Sequence, residues 1–275
     1  ADIMFFSPIK KETIPERVLS ISQIVADKGP IDEKDLNNIL IPPELNIAKN
    51  SYFGSVLDTA KELKLIDYNG ENKIIFTGNK DNIKSLTSFR LFCNSMVFND
   101  SSSDFYKVIS CFLEADDKWL SYGSVTTSTE VIRLINAETG IPSLKLEKDV
   151  ILGVRFWINF LGFGFFQEQA KIFLPNMYTA LKDFMLLGNI EKDKEYSVED
   201  FLNNLHHSSS VALKGARIKQ MLNLAMSNAL RLMHDNKEIE LERHLDSEKT
   251  WHLFPNDEHE FTSEVTHIII KKVVK

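Results

Sequence analysis

Three scarcities narrow this chain before any motif is read. Two cysteines, Cys93 and Cys111, in 275 residues are too few for a disulfide framework, and both fall in apolar helical patterns where small buried thiols are common. A reducing, cytoplasmic setting is expected. Cations are also in deficit: 32 Lys and Arg stand against 39 Asp and Glu, a formal charge of -7 that argues against a surface coated with phosphate-binding groups. Any nucleic-acid contact must therefore be local. The longest apolar run, Val150 to Phe166, is 17 residues interrupted by Arg155, Asn159 and three glycines, whereas a membrane span needs about 20. It reads as a buried helix running into a strand. No secretory signal precedes the first folded segment, and Met4 reads as a native start behind Ala1, Asp2 and Ile3.

What is present is repetition, in a chain whose 43% hydrophobic content is ample for packed cores. Three times a short capped helix is followed by a break, a longer amphipathic helix and a β-hairpin. In the first copy, Ile14 to Gly29 puts Val18, Ile21, Ile24 and Val25 on one helical face and stops at Gly29-Pro30. A second helix starts behind Asp32 as its cap and ends before Pro42-Pro43. From Ser51 to Lys64 a third turns Tyr52, Phe53, Val56, Leu57, Ala60 and Leu63 inward, and two β-rich runs around Asn69-Gly70 follow as a hairpin.

This stretch resembles winged-helix DNA-binding domains, a family that places its third helix in the major groove. The resemblance implies an approach through Lys49, Asn50, Ser51 and Ser55 at the helix N-terminus, where backbone amides favour anions, with Lys73 on the wing. The outward face otherwise carries Ser51, Ser55, Asp58, Thr59 and Glu62, and its two carboxylates would repel phosphates. Packing or dimerisation is the alternative use of this module.

The pattern restarts after a helix from Leu86 to Phe98 and a polar gap. One helix follows Asp104, a second is expected behind the Thr127/Glu130 capping box and ends at Gly140, and a third runs from Glu147 to Leu161. That last helix is apolar on almost every side apart from Lys148, Arg155 and Asn159, so it is expected to be buried, with Arg155 paired rather than reading bases. A hairpin from Gly164 to Pro175 completes the unit.

In the third copy, a helix near Asn176 to Leu187, a capped start at Ser197 and a break at Ser208-Ser209-Ser210 precede one long helix from Gly215 to Lys237. At 100° per residue its apolar side is Ile218, Met221, Leu222, Ala225, Ala229, Leu232 and Met233. Its polar side is Arg217, Gln220, Asn223, Ser227, Asn228, Arg231 and His234. Between Lys214 and Lys237 five cations face one acid, Asp235, in a chain that is acidic elsewhere. Arg and Lys pair with phosphates and Gln and Asn read base edges, so Lys214, Arg217, Lys219, Gln220, Asn223 and Arg231 form the expected duplex-DNA grip, beside Lys49, Ser51 and Lys73 of the first copy. A solvated helix face is the plainer reading of the same residues. Beyond the helix, Ile239 to Phe254 reads as a wing turning near Asp246 to Lys249, and Val265 to Lys275 as a terminal strand that needs an edge within the chain or across a dimer.

No chemistry stands out. His206 and His207 are adjacent and point apart, the other five histidines lack ligand-type spacing, and His244 and His252 are expected as a cross-strand surface pair; neither metal nor cofactor is expected. Glu71-Asn72-Lys73 has the acid-x-lysine spacing of metal-dependent nucleases but flanks a tight turn, so these are wing-tip charges. Phosphate-binding loops, nucleophile elbows and HExxH helices are all missing.

The expected fold is mainly α with small β-hairpin wings, as tandem winged-helix modules over residues 4–80, 86–175 and 176–275. The expected function is non-enzymatic binding of double-stranded DNA through the third module. The alternative is a protein-interaction scaffold, in a complex or as a homodimer. The layout, in a chain rich in Lys, Asn and Ile, looks like the accessory proteins of bacterial mobile-element defence islands. It is similar to the helical subunit lettered G of the deazaguanine-DNA modification and restriction systems, mostly over Ile14 to Thr77. Plasmid replication initiators, with paired winged helices, share the layout too.

Overall fold

Helix stops and caps divide the chain much as their chemistry dictates in the computed structural model, which describes residues 11–45, 52–121, 148–167 and 172–272. Two compact units result, the first from Ala1–Phe105 with Ser143–Phe160, the second from Tyr106–Pro142 with Leu161–Lys275. The described residues are mainly helical with small antiparallel sheets, as expected. The helix expected behind Thr127 lies outside them.

In the first unit, α1 (Pro15–Lys28) opens on a proline whose missing N–H is harmless in a first turn, and it buries Val18, Leu19, Ile21 and Val25. Ile31 then bridges antiparallel to Ile74 before α2 (Glu33–Leu40) begins. Helix α3 (Phe53–Glu62) leads into β1 (Ile66–Tyr68) and β2 (Ile74–Phe76), which pair with Asp67 opposite Ile75. The Asn69 side chain pins the turn by accepting the N–H groups of Glu71 and Lys73 at 3.0 and 2.9 Å. Thr59, expected outward, is buried instead. Its hydroxyl donates to the Ser55 carbonyl at 2.8 Å, so it can enter the core without an unmet polar group.

Ser85 caps α4 (Leu86–Met96), and α5 (Asp104–Glu114) and α6 (Lys148–Leu161) follow along the chain. In the first unit α6 buries Val154, Trp157 and Ile158, with the Trp157 indole N–H donating to the Thr13 carbonyl at 2.8 Å. The apolar run is thus a helix buried on one face, with Phe156 and Asn159 left exposed, that passes into β3 (Gly164–Gln167). No helix among the described residues is long and apolar enough to cross a membrane.

In the second unit β3 pairs with β4 (Ile172–Pro175), and α7 (Tyr178–Leu187) leads to β5 (Glu195–Ser197). After that come α8 (Val198–Asn204), a single turn α9 (Ala216–Lys219), α10 (Leu224–Asp235) and β6 (Ile239–Glu242). A small hairpin of β7 (Trp251–His252) and β8 (Glu264–Val265) precedes β9 (His267–Ile270). The sheet order β5-β9-β6 puts the last strand in the middle. The first unit repeats that order in miniature, with β2 between Ile31 and β1. The terminal strand therefore finds both its edges inside the chain.

Two expectations for this unit fail. Ile239 to Phe254 does not fold on itself: β6 pairs with β9, whose Ile268 and Ile270 are fully buried, while β7 pairs with β8. Nor is there one helix from Gly215 to Lys237. Gln220 takes a left-handed conformation (φ 50°), and its carbonyl accepts the His252 N–H at 2.8 Å while Leu222 N–H donates to the His252 carbonyl at 2.8 Å. Asn223 then restarts the helix as a cap, its side-chain oxygen accepting the Met226 N–H at 2.9 Å. The break rotates the two faces against each other. Ile218 and Met221, expected inward, are 90% and 49% exposed, while Ser227 and Arg231, expected outward, are buried.

Candidate interaction site in the second unit

The polar face of α10 is occupied by the chain itself. Arg231, only 4% exposed, donates through Nη2 to the carbonyls of Phe254, Phe261 and Thr262 at 2.7, 3.0 and 2.9 Å, and through Nε to Phe261 at 3.1 Å. Burial alone lowers its pKa, yet a guanidinium stays charged, so those carbonyls act as its counter-dipoles. Ser227 Oγ accepts the Phe254 N–H at 2.8 Å, and the Asn228 amide donates to the Pro175 carbonyl at 2.8 Å. Asn223, besides capping the helix, donates to the Ala212 carbonyl at 2.9 Å. Arg231 and Asn223 are thus internal fastenings.

Lys214, Arg217 and Lys219 are exposed around the α9 turn, and Gln220 beside them is half-buried. Each cation has acidic company. Arg217 Nη1 lies 2.6 Å from Glu199 Oε1. Burial, then Asp116, raises the pKa of Glu114, while Lys214, Lys219 and a hydrogen bond from Asn223 pull it back. Burial likewise raises that of Asp116, against the Leu224 N–H that donates to it at 2.9 Å and against Lys219. The local cationic excess counted along the sequence is therefore met in part by Glu199, which pairs with Arg217, and by Glu114 and Asp116, which Lys214 and Lys219 influence. None of the three lies in the counted window.

Of the remaining expected residues, Lys73 is half-buried at the hairpin of the first unit, and Lys49 and Ser51 lie outside the described residues. On α3, burial and then Asp58 push Glu62 up to about 8, so at neutral pH the repulsion expected there comes chiefly from Asp58. His244 does not pair with His252. Its ring stacks on His267 with centroids 4.2 Å apart, because β9 rather than β7 lies beside β6.

A family model described as DpdG-like matches residues 9–247. The chain belongs to the DpdG-like family. That membership points to an accessory subunit of a bacterial defence system, and it extends the likeness first read over Ile14 to Thr77 across most of the chain. No curated protein and no solved structure matches the chain.

Proposed function

We propose that this DpdG-like chain is a non-catalytic subunit that docks onto a partner protein of its defence system. Both units are read as winged-helix frames, on the strength of the shared order in which the last strand lies between the strand before the second helix and the strand after the third. In this reading the second frame is a scaffold, and its third helix reads no DNA.

The observation that carries the reading is the cover on α10. Hydrogen bonds to a charged group contribute about 1.5–3 kcal/mol each, so lifting residues 254–262 away from Arg231 to admit a DNA groove would cost several such bonds. Among the apolar side chains the unit leaves exposed, which include Leu245, Phe165, Leu174 and Leu186, Ile218 and Met221 are the ones beside Lys214, Arg217 and Lys219 in sequence. Exposed apolar side chains at such a turn suit a protein surface with a matching apolar pocket. A phosphate backbone has no use for them.

Double-stranded-DNA binding through Lys214, Arg217 and Lys219 is the second reading, favoured by the exposure of those three side chains. The two separate on paired variants. Co-expression with the other subunits of the system, followed by size exclusion with light scattering, should give a complex that Ile218→Asp abolishes. Duplex binding by fluorescence anisotropy should be weak and change little in Lys214→Glu/Arg217→Glu/Lys219→Glu. A complex indifferent to Ile218→Asp, together with tight duplex binding lost in the triple variant, would reverse the choice.

A further inference from the structure

We propose that the outward face of the three-stranded sheet is a divalent-metal site of the zinc class, with Glu195, His244 and His267 as ligands and a fourth position left to water. This inference is independent of the docking surface.

Register brings these residues together. His267 on β9 lies opposite Ser197 of β5 on one side and Glu242 of β6 on the other, and Glu195 is two positions from Ser197 on the same face. His244 follows Glu242 by two and joins them. One ligand atom from each of Glu195, His244 and His267 lies within 4.8 Å of the others. His244 Nε2 is 2.6 Å from Glu242 Oε2 and 3.8 Å from Glu195 Oε1. Ligands about 2.0–2.2 Å from a tetrahedral zinc sit about 3.3–3.6 Å from one another, so the partly exposed His244 ring must turn out of its stack on His267 for both imidazoles to face one ion.

A buried threonine prepares the donors. The Thr266 hydroxyl gives its single proton to the Glu242 carbonyl at 3.2 Å and accepts the His244 backbone N–H at 2.9 Å. With that proton on the Glu242 carbonyl, the oxygen is left to accept from His267 Nδ1 at 2.9 Å, and in that tautomer the ring's lone pair is on Nε2. A ring nitrogen fixed by a second hydrogen bond is the usual support of a metal-binding histidine. Two imidazoles with a carboxylate favour zinc and its neighbours over calcium or magnesium, which prefer oxygen alone. Since the ligands come from β5, β9 and the end of β6, a bound ion would tie all three strands together.

The test is zinc uptake by the full chain without an affinity tag, read by isothermal titration and elemental analysis, with cobalt absorption reporting tetrahedral nitrogen–oxygen ligation. Saturable binding of one ion per chain is expected, with magnesium unable to compete. Glu195→Gln and His244→Ala should each weaken it at least about tenfold, and Thr266→Val, which touches no metal, about 10–100-fold, with circular dichroism unchanged. Absence of saturable uptake, or uptake of equal affinity in the Glu195 and His244 variants, would overturn the site. In that event the cluster is a His244–Glu242 hydrogen-bonded pair only.

Discussion

Arg231 and Glu62 show how far a single side chain departs from what its type suggests. Arginine on the polar stripe of a helix reads as a phosphate ligand, yet Arg231 is buried and satisfies three backbone carbonyls. Arg231→Met should therefore destabilise the second unit by about 3 kcal/mol or more, because those carbonyls lose their donor. Urea unfolding followed by tryptophan fluorescence measures this, and a loss below about 1 kcal/mol would mean the clamp is dispensable. Glu62 carries a pH signature. Its ordinary value of 4.5 is raised to about 8 by burial and by Asp58, so the folded chain holds a proton that the unfolded chain releases. The unfolded state binds fewer protons between those values, so stability falls as pH rises from about 4.5 to about 8 and levels off above that. Glu62→Gln should remove this component: the difference in unfolding midpoint between wild type and variant should grow across that window. A constant difference would deny the shift.

At the scale of elements, local chemistry was legible wherever a stop or cap was unambiguous. Gly29-Pro30, the Asn69-Gly70 turn, the Ser197 cap and the apolar run of the terminal strand all mark elements the structure keeps. The break at Gln220 was not legible, although Asn223 carried a signal for it. Ile218, Leu222 and Ala225 continue a helical period through the break, so periodicity alone favours one helix. The exchange of backbone hydrogen bonds with His252 decides against it, and that partner is distant in sequence. Asn223→Ala removes the cap and the bond to Ala212, and should cost about 1–2 kcal/mol. Thermal unfolding compares it with Asn228→Ala, which removes one bond from the same helix and caps nothing. Equal losses in the two variants would argue that capping contributes nothing special.

For the whole molecule, charge is the quantity to test. A chain of net charge -7, whose local cations face Glu114, Asp116 and Glu199, releases few counterions on meeting DNA. The dependence of duplex affinity on salt should thus be shallow, with a log–log slope no steeper than about -3, since each phosphate contact contributes about 0.9. A slope near about -6 that flattens in the Lys214, Arg217 and Lys219 triple variant would show a DNA grip after all.

Composition and local pattern by themselves determined the helical class, the existence of the apolar helix, the hairpin of the first unit and the place of most elements, because caps, turns and periodicity act over a few residues. The likeness to the lettered-G subunit was legible in the layout, and the family match bears it out. Only the tertiary structure decided which polar residues face solvent and which strand lies beside β6. Burial of Arg231, the carboxylates around α9 and the stacking of His244 on His267 each depend on residues distant along the chain. Hydrogen bonds and charges answer to distance in space, and a one-dimensional count of cations cannot contain that distance.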